Sequence, residues 1–110
     1  MEKILEQTLL YDFYGELLTR HQKEIYEDVV LNDYSYSEVA EERGISRQGV
    51  HDLIKRCHRI LQEYEEKLHL VEKFVSIRKQ IQETRQFIRE SESVDRTLLE
   101  QQLEEIIRQL

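Results

Sequence analysis

Apolar residues recur at three- and four-residue steps along almost the whole chain, and polar breaks rather than prolines interrupt them. Ile4, Leu5, Leu9, Leu10, Phe13, Tyr14, Leu17 and Leu18 keep this rhythm, which predicts an amphipathic helix over residues 2–18. Thr19 with Gln22 has the form of a capping box, so a second helix is expected to open there and run to about Leu31, with Ile25, Val29 and Val30 inward. Asn32 and Asp33 break the pattern. Beyond Leu61 an apolar stripe continues through Tyr64, Leu68, Val71, Phe74, Val75, Ile77, Ile81 and Ile88, with no capping residue or glycine to stop it. A long helix to about Arg89 is expected, either continuous with the preceding one or bent near Tyr64–Leu70. Ser91-Glu92-Ser93 is the expected turn, with Asp95 or Ser93 capping a last helix. Its Leu99, Leu103, Ile106 and Leu110 fall in a 4-3-4 rhythm close to a coiled-coil seam.

Between these amphipathic stretches, residues 35–61 have the grammar of a helix-turn-helix. Ser35 caps a first helix, and Glu38 three residues on completes a capping box. Ala40 is small where two helices must cross closely. Gly44 stands where the chain leaves that helix and needs a left-handed backbone. Ile45 follows as an apolar plug, and Ser46 caps the next helix. Val50, Leu53 and Ile54 then recur at helical spacing and face inward, which leaves Arg47, Gln48, His51, Lys55, Arg56 and Arg59 for the outer face.

Charge sharpens this picture. The chain of 110 residues has a net charge of −7, which opposes contact with a polyanion at long range. Its distribution is uneven: residues 1–34 carry eight acids against three bases, whereas residues 47–59 carry Arg47, Lys55, Arg56 and Arg59 against Asp52 alone. The second helix of the motif is thus the one clearly basic stretch. A single cysteine excludes an intramolecular disulfide, and no apolar run approaches the ~20 residues of a membrane span. MEKILEQTLL lacks the layout of a signal peptide, so a cytoplasmic protein is expected.

The stretch YSYSEVAEERGISRQGVHDLIKRCHRIL resembles the promoter-reading fourth region of bacterial sigma factors. Through LLYDFYGELLT (Leu9–Thr19), SEVAEERGISRQGVHDLIKR (Ser37–Arg56) and LQEYEEKL (Leu61–Leu68), the wider chain is similar to the YlxM family of small helical bacterial proteins. The resemblance implies an all-α, sigma region 4-like bundle with a long C-terminal helical arm. It also implies a regulatory, DNA-binding-like role associated with the signal recognition particle pathway. Gly49 departs from the sigma pattern, where a helix former is usual. Glycine costs ~1 kcal/mol relative to alanine in a helix, so close approach by a phosphate or by the neighbouring helix is expected there.

Two functional classes follow. In one, Arg47 and Gln48 reach guanine and adenine edges from the start of the recognition helix, His51 and Lys55 lie one turn deeper, and Arg56 and Arg59 hold phosphates. In the other, an accessory subunit binds the particle's RNA or protein without reading DNA sequence. A bundle over residues 1–64 with an arm over 65–110 is the expected division, and the arm's stripe predicts a homodimer. Leaving it wet would forfeit several kcal/mol at ~25 cal/mol per Å². His51 and His58 share a helix face but have no set of four ligands around them, so neither a metal nor a cofactor is expected. Cys57 is read as a buried or inert residue. The six tyrosines are read as packing groups rather than base-stacking platforms, and paired acids such as Glu41-Glu42 as solvated faces. No nucleophile with a matched base is visible, so no enzyme is expected.

Overall fold

A computed structural model describes residues 3–110; Glu2, the expected start of the first helix, and the side chain of Ile4 lie outside the described residues. The architecture is all-α. The helices are α1 (Lys3–Tyr14), α2 (Arg20–Tyr26), α3 (Tyr36–Arg43), α4 (Arg47–Leu68), α5 (Leu70–Glu90) and α6 (Arg96–Arg108). The chain divides after His69 into two compact units.

In the first unit α1 stops at Tyr14 rather than Leu18 and tightens into a 3₁₀ turn over Gly15–Leu17. The Tyr11 ring lies against Gly15, so closely that a β-carbon there would sit 2.8 Å from it. Among the described side chains of the stripe Leu10, Tyr14 and Leu18 are buried, whereas Leu5, Phe13 and Leu17 are 50%, 38% and 54% exposed, more than a buried stripe would show. The reason is coverage: within this unit α1 packs on α4 along one side, and a seventeen-residue stripe is wider than that contact. Thr19 opens α2 as expected, its hydroxyl accepting from the Gln22 amide at 3.2 Å while Gln22 Oε1 accepts from the Thr19 amide at 2.9 Å. After Tyr26 the helix widens into a π turn over Glu27–Leu31, closed by the Asn32 amide on the Glu27 carbonyl at 2.9 Å. That widening rotates the following side chains, so Val29 and Val30 are only half-buried while Tyr26 is fully enclosed. With Ile25, Val39, Val50, Cys57 and Leu61 it forms the centre of the core.

Tyr26 stacks on Tyr11 at 5.3 Å between ring centroids and meets the His58 ring edge-on, also at 5.3 Å. Burial pushes the His58 imidazole below its usual range, and Lys3 adds a smaller push the same way. The folded state therefore binds fewer protons here than the unfolded chain. Stability from this group is complete above the ordinary histidine range, ~6.5, and is lost as pH falls through the depressed value. Thermal melts at pH 7.5 and 5.5 should show a lower midpoint at 5.5, and His58→Gln should flatten the difference. Glu24, held low by hydrogen bonds from Arg43 and Arg20, loses its protonation-linked stability only in the more acidic carboxylate range. An identical drop in the His58→Gln variant would refute the assignment.

In the second unit α5 and α6 form an antiparallel hairpin. The Ser91 hydroxyl ends α5 by donating to the Phe87 carbonyl at 2.7 Å. Asp95, rather than Ser93, caps α6, accepting from the amides of Thr97 and Leu98 at 2.9 and 3.4 Å. Gln109 ties the far end to Gln80 at 2.7 Å. Of the expected seam residues Ile106 is buried and Leu99 half-buried, while Leu103 and Leu110 face outward.

Candidate nucleic-acid interface

Three short local signals place α4. Ser35 caps α3, its hydroxyl accepting from the Glu38 amide at 3.1 Å, with Glu38 reaching back to the Ser35 amide. Gly44 ends α3 at φ 67°, a conformation that a β-carbon opposes, and both its amide and that of Ile45 bond the Ala40 carbonyl. Ser46 then caps α4 through the Gly49 amide at 2.9 Å. Ala40 is buried, as close crossing requires, and Val39 packs in the core with Val50 and Ile54 of α4. Arg43 clamps the arrangement from behind, donating to Glu24 at 2.8 Å and to Asp28 at 3.3 Å. The two carboxylates hold its guanidinium above its already high range. This base therefore supports the fold and is not free for a ligand.

Of the two reasons expected for Gly49, approach by the neighbouring helix is not what the structure has. A β-carbon there would stand 3.0 Å from Ser46 Oγ, the cap of its own helix, and close to no other helix. The small residue makes room for the hydroxyl that its own amide bonds.

Arg47, Gln48, His51, Lys55, Arg56 and Arg59 are all exposed on α4. At 100° per residue Gln48, Lys55, Arg56 and Arg59 occupy the half of the helix turned away from Val50, Ile54, Cys57 and Leu61. His51 stands about a quarter turn from that buried row, and Arg47, only about 50° from it, is exposed as the first residue of the helix. His58 is different: it is half-buried against Tyr26 and takes no part in this surface. Cys57 is fully enclosed, and burial pushes its thiol up to about 11 against a small opposing effect of Arg56. It stays protonated at neutral pH, which makes it unreactive.

Two features were missed in reading the sequence. Tyr36, in the first turn of α3, meets the His51 ring edge-on at 5.7 Å, and with Arg47, Gln48 and His51 it lines a shallow depression. Its place directly after the Ser35 cap was the available signal, since the turn at Gly44 fixes the start of α3 beside the start of α4. The second is Asp52. It accepts from Gln48 Nε2 at 3.0 Å and lies 3.7 Å from His51 Nδ1, so the lone acid of the basic stretch occupies the amide that would read a base. A carboxylate facing phosphates at contact range is worth about 1 kcal/mol in water. Asp52→Asn is therefore expected to tighten nucleic-acid binding about fivefold in a fluorescence-anisotropy titration; unchanged or weaker binding would place the ligand elsewhere.

No helix among the described residues is long and apolar enough to cross a membrane. The family model described as "Putative helix-turn-helix protein, YlxM / p13 like" matches residues 1–106. A UPF0122 protein of Caldanaerobacter subterraneus subsp. tengcongensis is 51% identical over 87 residues, 79% of this chain and 74% of that one. Another, of Acetivibrio thermocellus, is 55% identical over 75 residues, 68% of this chain and 64% of its own length, so the match spans just under two thirds of that relative. A third, of Bacillus cereus, is 42% identical over 95 residues, 86% of each chain.

Proposed function

This chain belongs to the UPF0122 family of YlxM/p13-like helix-turn-helix proteins, and on that footing we propose that it is a regulatory protein that binds nucleic acid through the outer face of α4. One observation carries the reading. A chain with a net charge of −7 concentrates four bases against one acid over residues 47–59, and all four project into solvent beside a capped helix start. Arg47 and Gln48 stand where a recognition helix meets base edges, while Lys55, Arg56 and Arg59 run along the phosphates. His51 and Tyr36 close the near side. It acts as a cytoplasmic binding protein rather than an enzyme, and it works as a homodimer. On duplex DNA the two recognition helices of such a pair meet half-sites ~34 Å apart or a multiple of that.

The family resemblance directs the search for the ligand to the signal recognition particle pathway. A second reading keeps the same face but gives up sequence discrimination: an accessory subunit bound to the particle's RNA or protein. The engagement of Gln48 by Asp52 favours it, because an amide already bonded within its own helix must be released before it reads adenine.

Titrations against promoter DNA, scrambled DNA and the particle's RNA at several salt concentrations test both. Four cations per copy set the expected slope of log K against log salt at no steeper than about −3.6 per copy on a duplex. A slope near zero, or binding only to the particle's protein, would end the nucleic-acid reading. Equal affinity for the two DNAs would select the second reading over the first.

A further inference from the structure

The α5–α6 hairpin leaves one side apolar. α5 turns Gln80, Glu83 and Thr84 toward Gln102, Glu105 and Ile106 of α6. At 100° per residue, Ile81 and Ile88 stand about a quarter turn round α5 from that contact. Leu103 and Leu110 stand a similar step round α6, in the same sense, with Ile107 about 40° further on. Because the two helices run antiparallel, equal rotations bring both stripes to the same side of the hairpin. These five residues are 50%, 41%, 48%, 59% and 81% exposed. Together they present on the order of 500 Å² of apolar surface, at the upper end of what a monomer leaves uncovered.

We infer that this face docks on the same face of a second copy, giving a four-helix bundle in which α5 of one copy lies against α6 of the other. This deepens the pairing of two copies in the reading above, which named no surface. A symmetric pair removes about 1,000 Å² of apolar surface from water, the size at which specific interfaces begin. The charges choose the occupant and its orientation. Arg78 and Arg85 border the stripe on α5, and Glu100 and Glu104 border it on α6; all four are exposed, and among the described residues none is in an ion pair. A two-fold axis along the bundle keeps every residue at its own height. Arg85 of each copy then stands level with Glu100 and Glu104 of the other, with neighbouring helices antiparallel as in an up-and-down bundle. An axis across the bundle would set α5 on α5 and bring the arginines together.

The full-length protein is tested by sedimentation equilibrium from 1 to 100 μM. Wild type is expected to be a dimer, and the double variant Ile81→Glu, Leu103→Glu a monomer with unchanged helical circular dichroism. Arg85→Glu alone, and Glu100→Arg with Glu104→Arg alone, should each weaken pairing at least tenfold. Mixing these two variants should restore it, because both contacts of the mixed pair are again complementary. A wild-type monomer at 100 μM, a dimer indifferent to the two glutamates, or a mixture that stays monomeric would overturn the inference. A monomer that binds nucleic acid sinks this interface alone, and a dimer that binds none sinks the α4 reading alone.

Discussion

Changing Arg47, Lys55 and Arg59 together to glutamate is expected to abolish nucleic-acid binding while leaving the protein folded. The three reversals take residues 47–59 from +3 to −3 and the chain from −7 to −13. Binding to a polyanion rests on phosphate neutralisation, so three lost contacts and three new repulsions should weaken affinity at least ~1,000-fold near 0.15 M salt. The residual slope on log salt should become shallower by about 2.7 per copy. All three side chains are exposed, and surface substitutions away from caps and clamps change stability by only about 0.5 kcal/mol. The melting curve should therefore be nearly unchanged, which separates a lost surface from a lost fold. Binding that survives the triple change with its slope intact would mean that a different face carries the ligand.

The parts of this surface that were legible beforehand are those fixed by local bonds. Thr19, Ser35 and Ser46 each cap a helix within three residues of their own position, and Gly44 turns the chain by its own backbone. Such features depend on neighbours in sequence, so a linear reading finds them. What depends on coverage was not legible. Leu5, Phe13 and Leu17 obey the helical rhythm as well as Leu10 and Tyr14 do, and only the placement of α4 decides which of them it buries. The end of α4 was legible only as one of two alternatives, a bend near Tyr64–Leu70, and the break falls within that range. His69 takes φ 56°, and its amide bonds the Glu65 carbonyl at 2.8 Å, but a histidine does not advertise a left-handed stop as glycine would. The π turn at Glu27–Leu31 gave no signal either, since its residues are ordinary for a helix. On the candidate surface, the exposure of Gln48, His51, Lys55, Arg56 and Arg59 followed from periodicity and that of Arg47 from its place next to the Ser46 cap, whereas Tyr36 required knowing that α3 begins beside His51.

The same separation of surface from scaffold leads to the largest expected loss of stability. Tyr26 is fully enclosed, stacked on Tyr11 and edge-on to His58, at the junction where α2 meets α4. Tyr26→Ala removes an aromatic ring from a close-packed site and should cost about 3–5 kcal/mol, the range for aromatic truncations in cores. In a unit of this size that is a large share of the whole, since domains are stable by only ~5–15 kcal/mol. A drop of roughly 15 °C or more in the thermal midpoint is expected, at about 4–8 °C per kcal/mol. Tyr26→Phe should behave oppositely. Among the described residues the hydroxyl bonds no other group, so removing it keeps the packing and deletes only a polar atom from the interior. Its midpoint should match or exceed that of the wild type. Tyr26→Ala should then lose nucleic-acid binding together with its helical signal, whereas Tyr26→Phe should bind normally. If Tyr26→Phe were as unstable as Tyr26→Ala, the hydroxyl rather than the ring would be holding α2 to α4, and the core would be organised around a polar contact.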